Sequence, residues 1–128
     1  MRRKINRQMS IFELMHTSAI AKELRCISQI LDHTPDILDA VHRDLLQGRR
    51  EDTGRCGLTA DQVLRCAVLK QYRELTYEEL AFYLEDSVAF RSFARLEMGV
   101  YPRKSILQDS IKSLTESTWE ALHHLILG

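Results

Sequence analysis

The chain has 128 residues, 45% of them hydrophobic, and its 18 basic and 18 acidic side chains give a formal net charge of +0 at pH 7. This length suits one domain, and a content of only two prolines and five glycines predicts a buried core and excludes wholesale disorder. No run approaches eighteen apolar residues, and no apolar stretch follows the basic N-terminus, so the sequence predicts neither a membrane span nor a secretory signal. We therefore expect a cytoplasmic protein.

The charges are unevenly distributed along the chain. Basic residues form an N-terminal group and a second group further on: Arg2, Arg3, Lys4 and Arg7, then Arg91, Arg95, Arg103, Lys104 and Lys112. Acidic residues collect between these groups, at Glu74, Glu78, Glu79, Glu85 and Asp86. A neutral total can thus conceal a basic face, although the same charges could form an ordinary solvated surface.

The first half of the chain predicts an arm and two helices. Residues 1–9 are polar and basic without periodicity, which predicts a flexible arm, and a short apolar turn begins at Ser10. Apolar residues at helical spacing predict a helix over 17–32, and Pro35 is placed to open the next one, which we expect to end at Gly48. Residues 48–58 then form a glycine-rich, charged linker. We interpret 10–128 as a single helical domain with lobes 10–47 and 59–128.

Capping boxes fix the starts of the next helices. Thr59 with Gln62, and Thr76 with Glu79, have the Thr-x-x-Gln/Glu spacing in which each side chain bonds the other residue's backbone amide. Only about three residues separate these two helices, as in a helix-turn-helix unit. Ser87 is placed to cap a third helix after a three-residue turn, and the Phe90 and Phe93 of that helix are predicted to be core residues.

After a loop at 97–104, a Ser105 cap with Gln108 at the box position predicts a helix with an apolar stripe, broken near Thr115 to Ser117. No segment alternates like a strand. The predicted fold is therefore all-α, with six to seven helices and a helix-turn-helix-like cluster.

Neither a metal site nor a catalytic motif is evident. The adjacent His123 and His124 would point about 100° apart on a helix and could not share a metal. The sequence contains no phosphate-binding glycine loop and no nucleophile elbow. Its three cysteines form no CxxC pair, so Cys26, Cys56 and Cys66 are expected to be reduced, structural thiols. We predict no enzymatic activity, no cofactor and no small-molecule substrate.

The segments GLTADQVLRCAVLKQYRELTYEELAFYLEDS and PRKSILQ resemble the N-terminal domain of bacterial insertion-sequence transposases of the DDE type, and the resemblance extends over essentially the whole chain. In such enzymes this helical domain precedes a ribonuclease-H-like core with three metal-binding carboxylates. The resemblance therefore assigns the chain to DNA binding and assembly, and no catalytic residue can be carried over onto it.

Two helices compete as the DNA-reading element. The first begins with Arg103, Lys104 and Ser105, where cations and free amides can bind phosphate, and it carries Gln108 and Lys112 on one face for contacts with bases or backbone. The second is the Ser87 helix, which presents Arg91 and Arg95, although Glu85 stands near a turn where glycine is common. Arg2, Arg3 and Lys4 of the arm could add phosphate contacts.

The predicted function is that of a DNA-binding domain that recognises the terminal inverted repeats of its own element and is nucleoid-associated when bound. A possible homodimer is compatible with it. The alternative, from a different functional class, is a protein-interaction or oligomerisation module that holds transposase subunits together.

Overall fold

A computed structural model describes residues 19–49 and 58–127 of the chain. These residues form seven helices and no strand, so the predicted all-α class is confirmed. The helices are α1 (19–32), α2 (Pro35–Arg49), α3 (Ala60–Arg73), α4 (Tyr77–Asp86), α5 (Val88–Ala94), α6 (Lys104–Lys112) and α7 (Glu116–Leu127). The predicted basic arm, the Ser10 turn and residues 50–57 of the predicted linker lie outside the described residues.

Helix α3 lies at the centre of the fold. Eight consecutive residues of this helix, from Gln62 to Leu69, are buried. A helix buried on all sides must be surrounded by others, and α2, α4, α5 and α6 all pack against α3. One hydrophobic cluster includes residues from α1 through α7. The two segments that the sequence divides into lobes therefore share a core.

The capping boxes predicted at Thr59 and Thr76 are confirmed. The Thr59 hydroxyl accepts a hydrogen bond from Gln62 N at 3.1 Å, while Thr59 N donates to Gln62 Oε1 at 3.0 Å. Thr76 and Glu79 form the same pair of bonds at 3.0 and 2.9 Å. Each box satisfies amides that a helix start would leave unpaired, and the boxes place α3 and α4 on either side of a three-residue connection, 74–76.

The junction between α4 and α5 differs from the prediction of a three-residue turn. Ser87 alone separates these helices. Its N–H donates to Tyr83 O at 2.8 Å and so ends α4, while its hydroxyl accepts from Phe90 N at 3.2 Å and caps α5. A serine in an extended backbone conformation can serve both helix ends. The predicted Ser87 cap is therefore correct, and the predicted turn length is wrong.

The end of α2 is a second difference. Gly48 does not end this helix, which continues through it to Arg49. A glycine inside a helix costs only about 1 kcal/mol relative to alanine, which is too little to stop a helix held by tertiary packing. The predicted linker therefore begins later than position 48.

The last helical segment is divided where the sequence predicts it. Helix α6 ends at Lys112 and α7 begins at Glu116. The buried carboxylate of Asp44, on α2, accepts hydrogen bonds from Thr115 N at 3.0 Å and from the Thr118 hydroxyl at 2.6 Å. The Thr115 hydroxyl caps α7 locally by accepting from Thr118 N at 3.3 Å, and Asp44 braces this cap from α2, which packs against α7.

Aromatic and cysteine positions give a mixed outcome. Phe90 and Phe93 are buried, as predicted for core residues. Cys66 is free and buried, as expected for a structural thiol, whereas Cys26 is free but exposed, which does not fit a structural role in the core. Cys56 lies outside the described residues. Cys26 faces solvent on α1 because the buried stripe of that helix consists of Leu24, Ile27 and Leu31.

Candidate nucleic-acid interface

Helix α6 begins earlier than the Ser105 motif predicts. Its N-cap is Arg103, no side-chain hydrogen bond caps it, and Leu107 N donates to Arg103 O at 3.0 Å to form its first helical hydrogen bond. Pro102 and Leu107 are both buried and occupy the positions of a hydrophobic staple around this start. The predicted Ser105 and Gln108 capping box is therefore wrong, because the helix begins at Lys104 and Ser105 lies inside its first turn.

The earlier start changes what α6 presents to solvent. Arg103, Lys104, Ser105 and Lys112 are exposed, and Gln108 is half-buried and free of a capping role. Helix starts leave amide hydrogens without helical partners, and these amides attract anions. The tip of α6 thus combines two exposed cations with amides that no side chain caps. Its opposite face is buried through Leu107, Ile111 and Ser110.

One acidic side chain lies on the exposed part of α6. Asp109 is exposed, four residues after Ser105 and three before Lys112. Residues three or four apart are neighbours on a helix surface. Asp109 therefore reduces the positive charge of the exposed side of α6.

Arg91 makes hydrogen bonds within the protein. Its guanidinium donates to Leu84 O at 2.9 Å, Val100 O at 2.8 Å and Glu97 O at 2.8 Å, and it lies 4.6 Å from the centre of the Tyr101 ring. Three carbonyl groups at the end of α4 and in the 97–101 loop thus share one cation. This arrangement explains how the loop before α6 is held in place.

Arg95 is also engaged in internal contacts, although its side chain is 47% exposed. Its guanidinium forms ion pairs with Asp32 and Asp61, both at 3.0 Å. The pKa of Arg95 is raised above its usual value. Burial alone would lower this pKa, but the hydrogen bond to Asp61 and the negative charges of both aspartates together outweigh that effect. Both arginines predicted on the Ser87 helix therefore make internal contacts, Arg91 with backbone carbonyls and Arg95 with carboxylates.

Arg65 belongs to the same network, although the sequence did not indicate this role. Its side chain is only 1% exposed and pairs with Asp32 at 3.0 Å and with Asp61 at 3.1 Å. It also donates to the Ser28 hydroxyl and to Phe93 O. The one local signal for an ion pair was the four-residue spacing of Asp61 and Arg65, with Arg65 inside the apolar segment VLRCAVL.

The structure separates the predicted site residues into two groups and leaves a third outside the described residues. The group from Arg103 to Lys112 lies on the solvent-facing side of α6, whereas Arg91 and Arg95 make internal contacts. Arg2, Arg3 and Lys4 lie outside the described residues. Among 19–49 and 58–127, no cluster of His, Cys, Asp or Glu could hold a metal ion, and no helix there could cross a membrane. Comparisons with protein-family models, curated proteins and solved structures give no match for this chain.

Proposed function

We propose that the chain is the DNA-binding domain of a DDE-type transposase and that it contacts the terminal inverted repeats of its element through the start of α6. The observation that carries this proposal is the exposed pair Arg103 and Lys104 beside a helix start without a side-chain cap. Its second support is the sequence resemblance given above.

The chemistry of the α6 tip fits a phosphate backbone. Guanidinium and ammonium groups neutralise phosphate oxygens, and unpaired amides at a helix start add hydrogen bonds to them. Such contacts position a protein on DNA without reading its sequence. Gln108 and Lys112 lie one turn apart on the side of α6 away from Leu107, where a glutamine amide can pair with the edge of an adenine.

The test is fluorescence anisotropy with duplexes from both sides of the coding sequence and with scrambled duplexes of equal length. Arg103→Ala and Lys104→Ala should weaken binding to every duplex, and each lost phosphate contact should reduce the slope of log affinity against log salt by about 0.9. Gln108→Ala should cost about 1–3 kcal/mol for the preferred duplex alone. Arg43→Ala, which removes an exposed cation of α2, is the matched control.

Arg91→Ala and Arg95→Ala should affect DNA affinity less than the α6 variants when the protein remains folded by circular dichroism. The reverse ranking would move recognition to α5 and would contradict the proposal.

The alternative function, a module that holds transposase subunits together, predicts a different dependence on salt. Apolar association should persist as salt rises, whereas phosphate contacts should weaken steeply. Light scattering of the chain without DNA, beside the anisotropy series, distinguishes the two functions.

A further inference from the structure

Exposed apolar side chains are concentrated between the end of α4 and the start of α6. Five of the eight large hydrophobic side chains exposed among the described residues lie there, and we call these five the Phe82 surface: Phe82, Tyr83, Val88, Met98 and Tyr101. Phe82 is 57%, Val88 79% and Met98 98% exposed. Apolar groups that gather on one part of a soluble protein mark an interaction surface more often than scattered ones do.

Internal contacts link the chain segments that carry these residues. The Tyr83 ring lies 5.6 Å from the Phe82 ring and 5.2 Å from the Phe90 ring, measured between ring centres. Arg91, three residues after Val88, bonds the end of α4 and the 97–101 loop and lies over the Tyr101 ring. The three chain segments of the Phe82 surface therefore meet at Arg91, which is half-buried.

The loop that carries Met98 has a defined conformation. Val100 N donates to Glu97 O at 3.0 Å, which closes a tight turn, and Gly99 has a φ of 86°, in the left-handed region that favours glycine. Arg91 fixes the carbonyls on both sides of this turn, those of Glu97 and Val100. Because the backbone that carries Met98 is held in place before any partner arrives, binding would cost little backbone ordering entropy.

Carboxylates surround the aromatic part of this surface. Phe82 has four neighbours three or four residues away on α4, and all four are exposed acids: Glu78, Glu79, Glu85 and Asp86. Helix α4 contains no basic residue, and Glu97, beside Met98, is exposed as well. A phosphate backbone would be repelled here, whereas a cationic partner would relieve the repulsion among the carboxylates.

We propose that the Phe82 surface docks a basic segment of another protein, with an apolar side chain of the partner against Phe82 and Val88 and its lysines or arginines against the carboxylates of α4. A partner cation can also lie over the face of the Phe82 ring, where the ring quadrupole attracts it. This surface is distinct from the cationic tip of α6, and the inference does not depend on DNA binding.

The experiment uses the full chain and a synthetic amphipathic peptide of lysine and leucine at helical spacing, with binding followed by calorimetry. The same peptide with glutamate in place of lysine is the control ligand. Phe82→Ala, and separately Glu85→Gln combined with Asp86→Asn, should each weaken binding of the basic peptide about tenfold or more. Leu46→Ala, which removes an equally exposed apolar side chain on α2, should leave its affinity unchanged. Circular dichroism verifies that each variant is folded.

Three results would overturn the proposal. If Phe82→Ala binds the basic peptide as well as the unaltered chain does, the attraction is general electrostatics and the apolar groups take no part. If the peptide does not bind, and light scattering shows a dimer that Phe82→Ala abolishes, the occupant is a second copy of this chain. If Phe82→Ala weakens binding to duplex DNA instead, the surface belongs to the nucleic-acid interface.

Discussion

At the scale of single residues, Cys66 shows how position in the fold sets chemistry. It lies in the middle of α3, fully buried among the residues that form the core. Burial raises the pKa of its thiol from the usual value of 9.0 to about 12. The charged thiolate is disfavoured in an apolar environment, so this thiol is inert at neutral pH while the fold is intact.

The raised pKa of Cys66 predicts a loss of stability in alkali. Below pH 9 the thiol is protonated in both the folded and the unfolded chain, so it has no effect on stability there. Between pH 9 and about 12 the unfolded chain loses this proton and the folded chain keeps it, so the free energy of unfolding should fall by up to about 1.4 kcal/mol per pH unit.

Denaturant unfolding at several values of pH from 8 upward measures this effect. Cys66→Ala lacks this titrating group, so its free energy of unfolding should fall less steeply above pH 9, by up to about 1.4 kcal/mol per pH unit. Any other effect of the substitution on stability should be the same at every pH. Equal slopes for the two proteins would show that the thiol ionises as readily in the folded state as in the unfolded one.

At the scale of the helices, a closed ring of ion pairs is formed by two arginines, Arg65 and Arg95, and two aspartates, Asp32 and Asp61. Arg65 and Arg95 each contact both Asp32 and Asp61, at 3.0 to 3.1 Å. The ring joins the end of α1, the first turns of α3 and the C-cap of α5. Gln62 adds a hydrogen bond to these four ion pairs, because its Nε2 donates to Arg95 O at 2.9 Å. These contacts fix the relative positions of three helices.

The two arginines should differ in their importance for stability. Arg65→Met should lower the free energy of unfolding by about 3 kcal/mol, since it removes a buried cation and leaves two carboxylates and the Phe93 carbonyl with fewer partners. Arg95→Met should cost about 1 kcal/mol or less, because this side chain is half exposed and screened by solvent. Urea unfolding of both variants at neutral pH gives the ranking, and equal losses would contradict it.

The helices also show which kinds of structural information the sequence carries. The capping boxes at Thr59 and Thr76 were predictable because both partners lie within three residues of each other. The Ser105 box has the same spacing, yet the helix begins after Arg103, where Pro102 and Leu107 are buried, and such burial depends on the rest of the fold. Arg65 could not be assigned its role, because Asp32 and Ser28 are 33 and 37 residues away in the chain.

At the scale of the whole molecule, charges of opposite sign are concentrated on different helices. The cations of the α6 tip are exposed, and the acids of α4 lie on a separate helix that packs against α6. The sequence showed this separation as blocks of charge along the chain, but it could not show that Arg91 and Arg95 turn inward. Only the tertiary contacts remove these two from the basic surface.

Asp109 offers a test of this charge arrangement. Asp109→Asn removes a negative charge from the exposed part of α6, so it should strengthen binding to all duplexes by about 0.5 kcal/mol, or somewhat over twofold, at low salt. The gain should shrink as salt rises. Asp39→Asn on α2 is the matched control, and anisotropy titrations measure both. If Asp109→Asn leaves the affinity for DNA unaltered, the bound DNA lies away from α6.

The contacts of Asp44 with the start of α7 also bear on the order in which the chain folds. The first turn of α7 has a local cap, because the Thr115 hydroxyl accepts from Thr118 N at 3.3 Å. Asp44 and Thr118 are separated by 74 positions, so Asp44 can brace this cap only after a distant loop closure has brought α2 beside α7. We therefore expect α2 and the start of α7 to open together, so that hydrogen exchange of the first amides of α7 should follow that of α2.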